Sequence, residues 1–119
     1  MKTSELTGHA LDWAVANCEG LLAFGYRTDR ERFVIEDSDS NSEGFMPSTD
    51  WAQGGSIIER EQISIEHKTR EGVWVATRIE GSAVSETHGD TPLIAAMRSY
   101  VASKLGDEVD VPNELKGKK

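Results

Sequence analysis

"QISIEHKTREGVWVATRIE" (residues 62–80) decides the fold. Ile63 and Ile65 alternate with polar neighbours before the REG tripeptide, and Val73, Val75, Thr77 and Ile79 alternate after it. An apolar period of two on both sides of a short, glycine-containing polar stretch is the pattern of an antiparallel hairpin with one face on a core. The alternation assigns Val73 and Val75 to the core face. Trp74 then falls on the opposite face, covering either the second side of the sheet or a partner.

Two helices flank this hairpin. In "TGHALDWAVANCEG" (7–20), Leu11, Ala14, Val15 and Cys18 recur at helical spacing after Thr7, a good N-cap residue. Gly20 supplies a left-handed stop, so the spacing predicts a helix over 8–19. In "DTPLIAAMRSYVASKLG" (90–106), Thr91 caps and Pro92 occupies the first helical position. Leu93, Met97, Tyr100 and Val101 share one face, and Gly106 ends the helix. "RFVIE" (32–36) reads as a short strand, and "VDVP" (109–112) as a short final one. The expectation is a single α+β domain over residues 1–111, two helices packed on a small antiparallel sheet, followed by a charged, flexible tail at 112–119. Its core is expected from Leu11, Ala14, Val15, Cys18, Ile63, Ile65, Val73, Val75, Leu93, Met97 and Val101.

Composition narrows the class. The chain has 119 residues and a formal net charge of −8, from 21 acidic and 13 basic side chains. That balance opposes binding to bulk nucleic acid or an anionic membrane, though not a local pocket for a small anion. The single Cys18 cannot form an internal disulfide, which fits a reducing compartment. There is no long apolar run, and residues 1–15 lack the basic and apolar regions of a signal peptide, so a soluble, cytosolic protein is expected.

Catalytic and metal signatures are missing. His9, His67 and His88 are scattered, Cys18 sits on an apolar helix face, and no phosphate-binding or dinucleotide fingerprint occurs. Asp37, Asp39 and Asn41 begin like a calcium loop, but Ser42 and Ser48 stand where glycine and glutamate are needed. No metal, no cofactor and no enzymatic activity are expected.

One stretch points to a ligand. "STDWAQGGS" (48–56) reads as a loop that brings together Asp50, Trp51, Gln53, Gly54 and Gly55. Trp51 offers a flat apolar face, Gln53 offers two donors and an acceptor, and the glycines let backbone N–H groups approach closely. Stacking plus a bidentate amide or carboxylate suits a planar heterocycle with a ribose. The structural alternative is a tight turn capped by a core tryptophan. Trp13 and Arg98 are expected beside these residues, and Arg27, Arg78 or Arg98 would meet phosphate through the guanidinium.

"MKTSELTGHALDWAVANCEG" (1–20), "STDWAQGGSIIERE" (48–61) and "GDTPLIAAMRSYVASKLGDEV" (89–109) resemble the NinX-like family of small proteins from tailed, lambda-like bacteriophages. The resemblance covers about half the chain, with its blocks in the family's order. Residues 25–47 match weakly, and Ser56 stands where the family has a proline after the glycine pair. The resemblance implies a phage protein in the cytoplasm of the bacterial host, and it implies no activity. In that setting the expected function is non-enzymatic binding of a small nucleotide-like ligand, sequestering an immune signalling nucleotide of the host. Three tryptophans and Tyr100 exceed what one small core needs, so a homo-oligomer is expected. The alternative function is an acidic interaction module that inhibits or redirects a host protein.

Overall fold

A computed structural model describes residues 1–23, 25–29, 32–36 and 43–116 of the chain. A 3-10 turn, Thr3–Glu5, leads into helix α1 (Gly8–Cys18). Strands β1 (Tyr26–Asp29), β2 (Arg32–Ile35) and β3 (Glu43–Gly44) form an antiparallel sheet in that order. Helix α2 (Trp51–Glu61) runs into β4 (Ser64–Lys68), which pairs with β5 (Val73–Glu80), which pairs with β6 (Ala83–Gly89). Helix α3 (Pro92–Leu105) lies on this second sheet.

The fold is α+β, but among the described residues the expected two helices on one sheet are three α-helices and two sheets. The sequence signals that held are the local ones. Thr91 Oγ1 accepts the Ile94 N–H at 3.1 Å and Pro92 opens α3. Gly20, Gly72 and Gly106 have positive φ where the first helix, the hairpin turn and the last helix end. "VDVP" forms no strand of a sheet; an isolated bridge joins Lys2 to Glu108 instead. The tail assignment changes too, because Asn113–Leu115 is a 3-10 turn and Leu115 is fully buried. Residues 117–119, and the calcium-like Asp37, Asp39 and Asn41, lie outside the described residues.

The hairpin forms as expected, with its faces exchanged. Ala76 pairs with Ile65 on one side and Thr87 on the other. Thr87 Oγ1 donates to the Ala95 carbonyl and Ser99 Oγ to the Ser85 carbonyl, each at 2.7 Å, so this row faces α3. Trp74 packs against the core from the same side. Val73, Val75, Thr77 and Ile79 therefore occupy the outer face. The cause is the closeness of helix and sheet: a Cβ added at Gly89 would stand 2.6 Å from the Ala95 nitrogen. Ala76, Thr87 and Gly89 fit under Ala95 and Ala96, whereas a row of valines and isoleucines would not. The β-branched run supplies strand propensity on the outside. Val75 is still buried, at 4% exposure, without belonging to the main core.

That core joins Leu11, Ala14 and Val15 of α1 to Ala96, Met97, Tyr100 and Val101 of α3. Phe33 from the first sheet, Ile57 from α2 and the late residues Val109, Val111 and Leu115 complete it. Cys18 and Ile65, expected inside, are partly buried at its edge. Polar residues tie α2 to its neighbours. Arg60 pairs with Glu19 at 2.6 Å and Glu61 at 2.7 Å, and buried Arg78 pairs with Glu61 at 2.6 Å and Glu80 at 2.8 Å.

Candidate functional site

Residues 51–61 are helix, not loop, and this redefines the site. Asp50 is the N-cap: its Oδ1 accepts the Ala52 N–H at 3.0 Å. Gln53 closes the segment behind it. Its Oε1 accepts the Met46 N–H at 2.8 Å, and its Nε2 donates to the Gly44 carbonyl at 3.2 Å and Asp50 Oδ2 at 3.1 Å. The amide expected to grip a ligand is thus saturated by the protein.

The glycines also have structural duties. A Cβ on Gly54 would lie 2.3 Å from the Pro47 carbonyl oxygen and 2.6 Å from Leu93 Cδ2. Gly54 therefore lets α2 approach the preceding turn and α3, rather than a ligand. Gly55 has room, its nearest neighbour being Trp51 Cε3 at 3.9 Å.

Trp51 does not match the core alternative. It is not a buried core residue but is 57% exposed. Its indole helps line a groove of about 210 Å³ formed by Ser48, Thr49 and Trp51 at the start of α2, and Thr91, Pro92, Leu93 and Ile94 at the start of α3. Neither helix has an acidic residue in its first turn. The groove thus offers an aromatic wall, aliphatic surface, hydroxyl-bearing residues and the N-terminal end of the α3 dipole, that of α2 being capped by the Asp50 carboxylate.

Of the residues expected at the site, Asp50, Trp51, Gln53, Gly54 and Gly55 are brought together at one helix start, and Trp51 alone lines the groove. Trp13 is partly buried against the core. Arg98 donates from Nε to the Leu6 carbonyl and from NH1 to the His88 carbonyl, each at 2.8 Å. Arg78 is held by its carboxylates, and Arg27 pairs with Glu36 at 2.8 Å.

Sequence reasoning missed the support behind the groove. Asp12, 2% exposed, accepts the Ser48 N–H on Oδ1 at 3.0 Å and pins the turn that carries Ser48 and Thr49. Burial lifts this carboxyl from its ordinary 3.8 to about 7, with hydrogen bonding from Ser48 pulling the other way. Asp12 lies beside the Leu11–Cys18 stripe, and nothing in its spacing announced that it is buried. Thr91–Ile94 were read as a helix start, and nothing local to them announced a groove.

Other chemistry is sparse. Burial pushes the Cys18 thiol up to about 12, the direction of an unreactive cysteine. Among the described residues no group of three His, Cys, Asp or Glu side chains could hold a metal ion. A second hollow, about 270 Å³, is bounded by His67–Glu71 of the β4–β5 turn. No described helix is long and apolar enough to cross a membrane.

Residues 2–104 match the family model described as Bacteriophage P22, NinX. That is most of the chain, and the chain belongs to this phage protein family. Comparison with curated proteins found no match.

Proposed function

We propose, with membership of that phage family as the premise, that this protein is a non-enzymatic binder acting in the cytoplasm of the bacterial host. It receives the flat ring of a small nucleotide-like ligand in the groove between the starts of α2 and α3. The carrying observation is Trp51, an indole 57% exposed on the wall of a groove sized for a ring. An aromatic side chain left half in water gains most by stacking on a flat partner.

The contacts differ from those expected of the sequence. Trp51 stacks, Leu93 and Ile94 meet the ring face, and Thr49 and Thr91 meet polar edges. Gln53 and Arg98 are withdrawn from the ligand, since both are committed to backbone partners. No lysine or arginine lines the groove, so phosphate stays toward solvent and the N-terminus of α3, away from the Asp50 carboxylate that caps α2. Holding such a ligand without transforming it would sequester an immune signalling nucleotide of the host.

Thermal shift with cyclic nucleotides, ADP-ribose and their parent nucleosides tests this reading. Wild type is expected to be stabilised by one member of the set, and Trp51→Ala to fold normally without that gain. Absence of any shift overturns the nucleotide reading. The apolar bias of the lining favours a second one: an acidic interaction module whose groove takes an apolar side chain of a host protein.

A further inference from the structure

The β4–β5–β6 sheet has α3 on one face, and no described helix packs on the other. Along this outer face β5 presents Val73, Val75, Thr77 and Ile79, and β6 adds Val84. Ile79 and Val84 are cross-strand partners, 67% and 62% exposed. Val75 is buried within the chain, at 4% exposure, so the open apolar surface is the Ile79–Val84 pair, and an adjoining apolar pair on an uncovered sheet face calls for a partner.

The charges beside that row are arranged with a particular symmetry. In the row through Val75, Glu66 stands on the β4 side and His88 on the β6 side. In the row through Thr77, Ser64 stands on the β4 side and Glu86 on the β6 side. Each acid on one flank thus has a hydrogen-bond donor at the mirrored position on the other. Lys68, 3.3 Å from Glu66, adds a further cation on the β4 flank.

We propose that this face pairs with the same face of a second copy of the chain, about a two-fold axis lying along β5. That operation leaves the β5 column facing its own equivalent, so Thr77 and Ile79 meet their counterparts over the buried Val75. It also exchanges the flanks, placing β4 of one copy over β6 of the other. Glu66 then meets the partner subunit's His88, and Ser64 meets the partner subunit's Glu86. An axis across the strands would not bring these pairs together. Two sheets packed face to face keep their strands within about 30° of each other, which preserves this pairing. A closed two-fold dimer uses one self-complementary patch, and the polar flanks of this patch complement each other under that operation.

A three-stranded face is small against the roughly 800 Å² per partner of a standard interface, so the association is weak and concentration-dependent. The partner is a second copy rather than an unrelated protein because the complementarity is internal to the patch. The tryptophans, which first suggested an oligomer, are not its basis: Trp13 and Trp74 pack on the core and Trp51 lines the groove.

Sedimentation equilibrium over a series reaching millimolar protein tests the proposal. The wild-type mass is expected to rise from 13.1 kDa toward twice that value. Ile79→Glu and Val84→Glu change exposed side chains, so both are expected to keep the wild-type circular dichroism and to remain monomeric throughout. Glu66→Lys and His88→Glu are each expected to weaken association about tenfold, and the double variant to recover it, because the exchanged charges again face each other across the axis. A wild type monomeric at every concentration overturns the proposal. So does an Ile79→Glu variant that associates like wild type, or a double variant weaker than either single.

Discussion

Gly54 and Gly55 are neighbours with opposite roles. Gly54 sits where a Cβ would collide with the Pro47 carbonyl and Leu93, so Gly54→Ala is expected to cost about 1–3 kcal/mol in urea melts. Gly55 meets nothing closer than 3.9 Å, and Gly55→Ala is expected to stabilise by up to about 1 kcal/mol through helix propensity. Asp12 carries the pH dependence at this scale. Its folded pKa of about 7 lies above the ordinary 3.8, so the folded state holds the proton more tightly than the unfolded chain. The stability this supplies is complete below about 3.8 and is lost as pH rises through about 7. Asp12→Asn keeps an acceptor for the Ser48 N–H and has no charge to bury. Melting temperatures of the two proteins should therefore diverge in favour of the asparagine variant between pH 4 and pH 8, and a constant gap would contradict the assignment. From sequence, Gln53, Asp50 and the glycines all look like ligand groups. Their residue types suit both uses, and only the positions of Met46, Gly44 and Pro47 decide between them.

At the scale of elements, α1 and α3 were legible from their stripes, and α3 also from its Thr91 cap, whereas Thr7 stands at the start of α1 without a side-chain capping bond. Helix α2 was not, because two glycines in its first half lower helix propensity and imitate a loop. What makes it a helix is the local Asp50 cap together with contacts outside the helix, the Gln53 clasp on Gly44 and Met46 and the close packing of Gly54. Asp50→Ala is accordingly expected to cost about 1 kcal/mol and Gln53→Ala a comparable amount, measured by denaturant unfolding. The hairpin shows a different limit. Alternation located β4 and β5, yet it could not say which face is inside, since a helix of small residues selects small partners. Strand β6 and the first sheet were largely invisible, as "AVSETHG" alternates only weakly and two-residue strands have no period at all.

For the whole molecule, the single α+β domain, the acidic balance and the phage family were readable from the chain, while the site was readable only at Trp51. The groove joins residues 48–51 to residues 91–94, and a concavity between distant segments leaves no local signature. The core that holds both segments in place is continuous, so Val101→Asp, which puts an unpaired charge at a position with no exposure, is expected to unfold the domain and abolish the cooperative melt. The central claim is that Trp51 and the starts of α2 and α3 form the ligand site. The indole N–H signals of Trp13, Trp51 and Trp74 report on three separate environments, so a proton–nitrogen NMR titration with the nucleotide that gives the largest thermal shift tests it directly. The expected result is movement of the Trp51 indole together with the backbone amides of Thr49, Thr91, Leu93 and Ile94, while Trp13 and Trp74 stay still. Movement confined to Trp74 and the outer face of the second sheet, or no movement at saturating nucleotide, would contradict it.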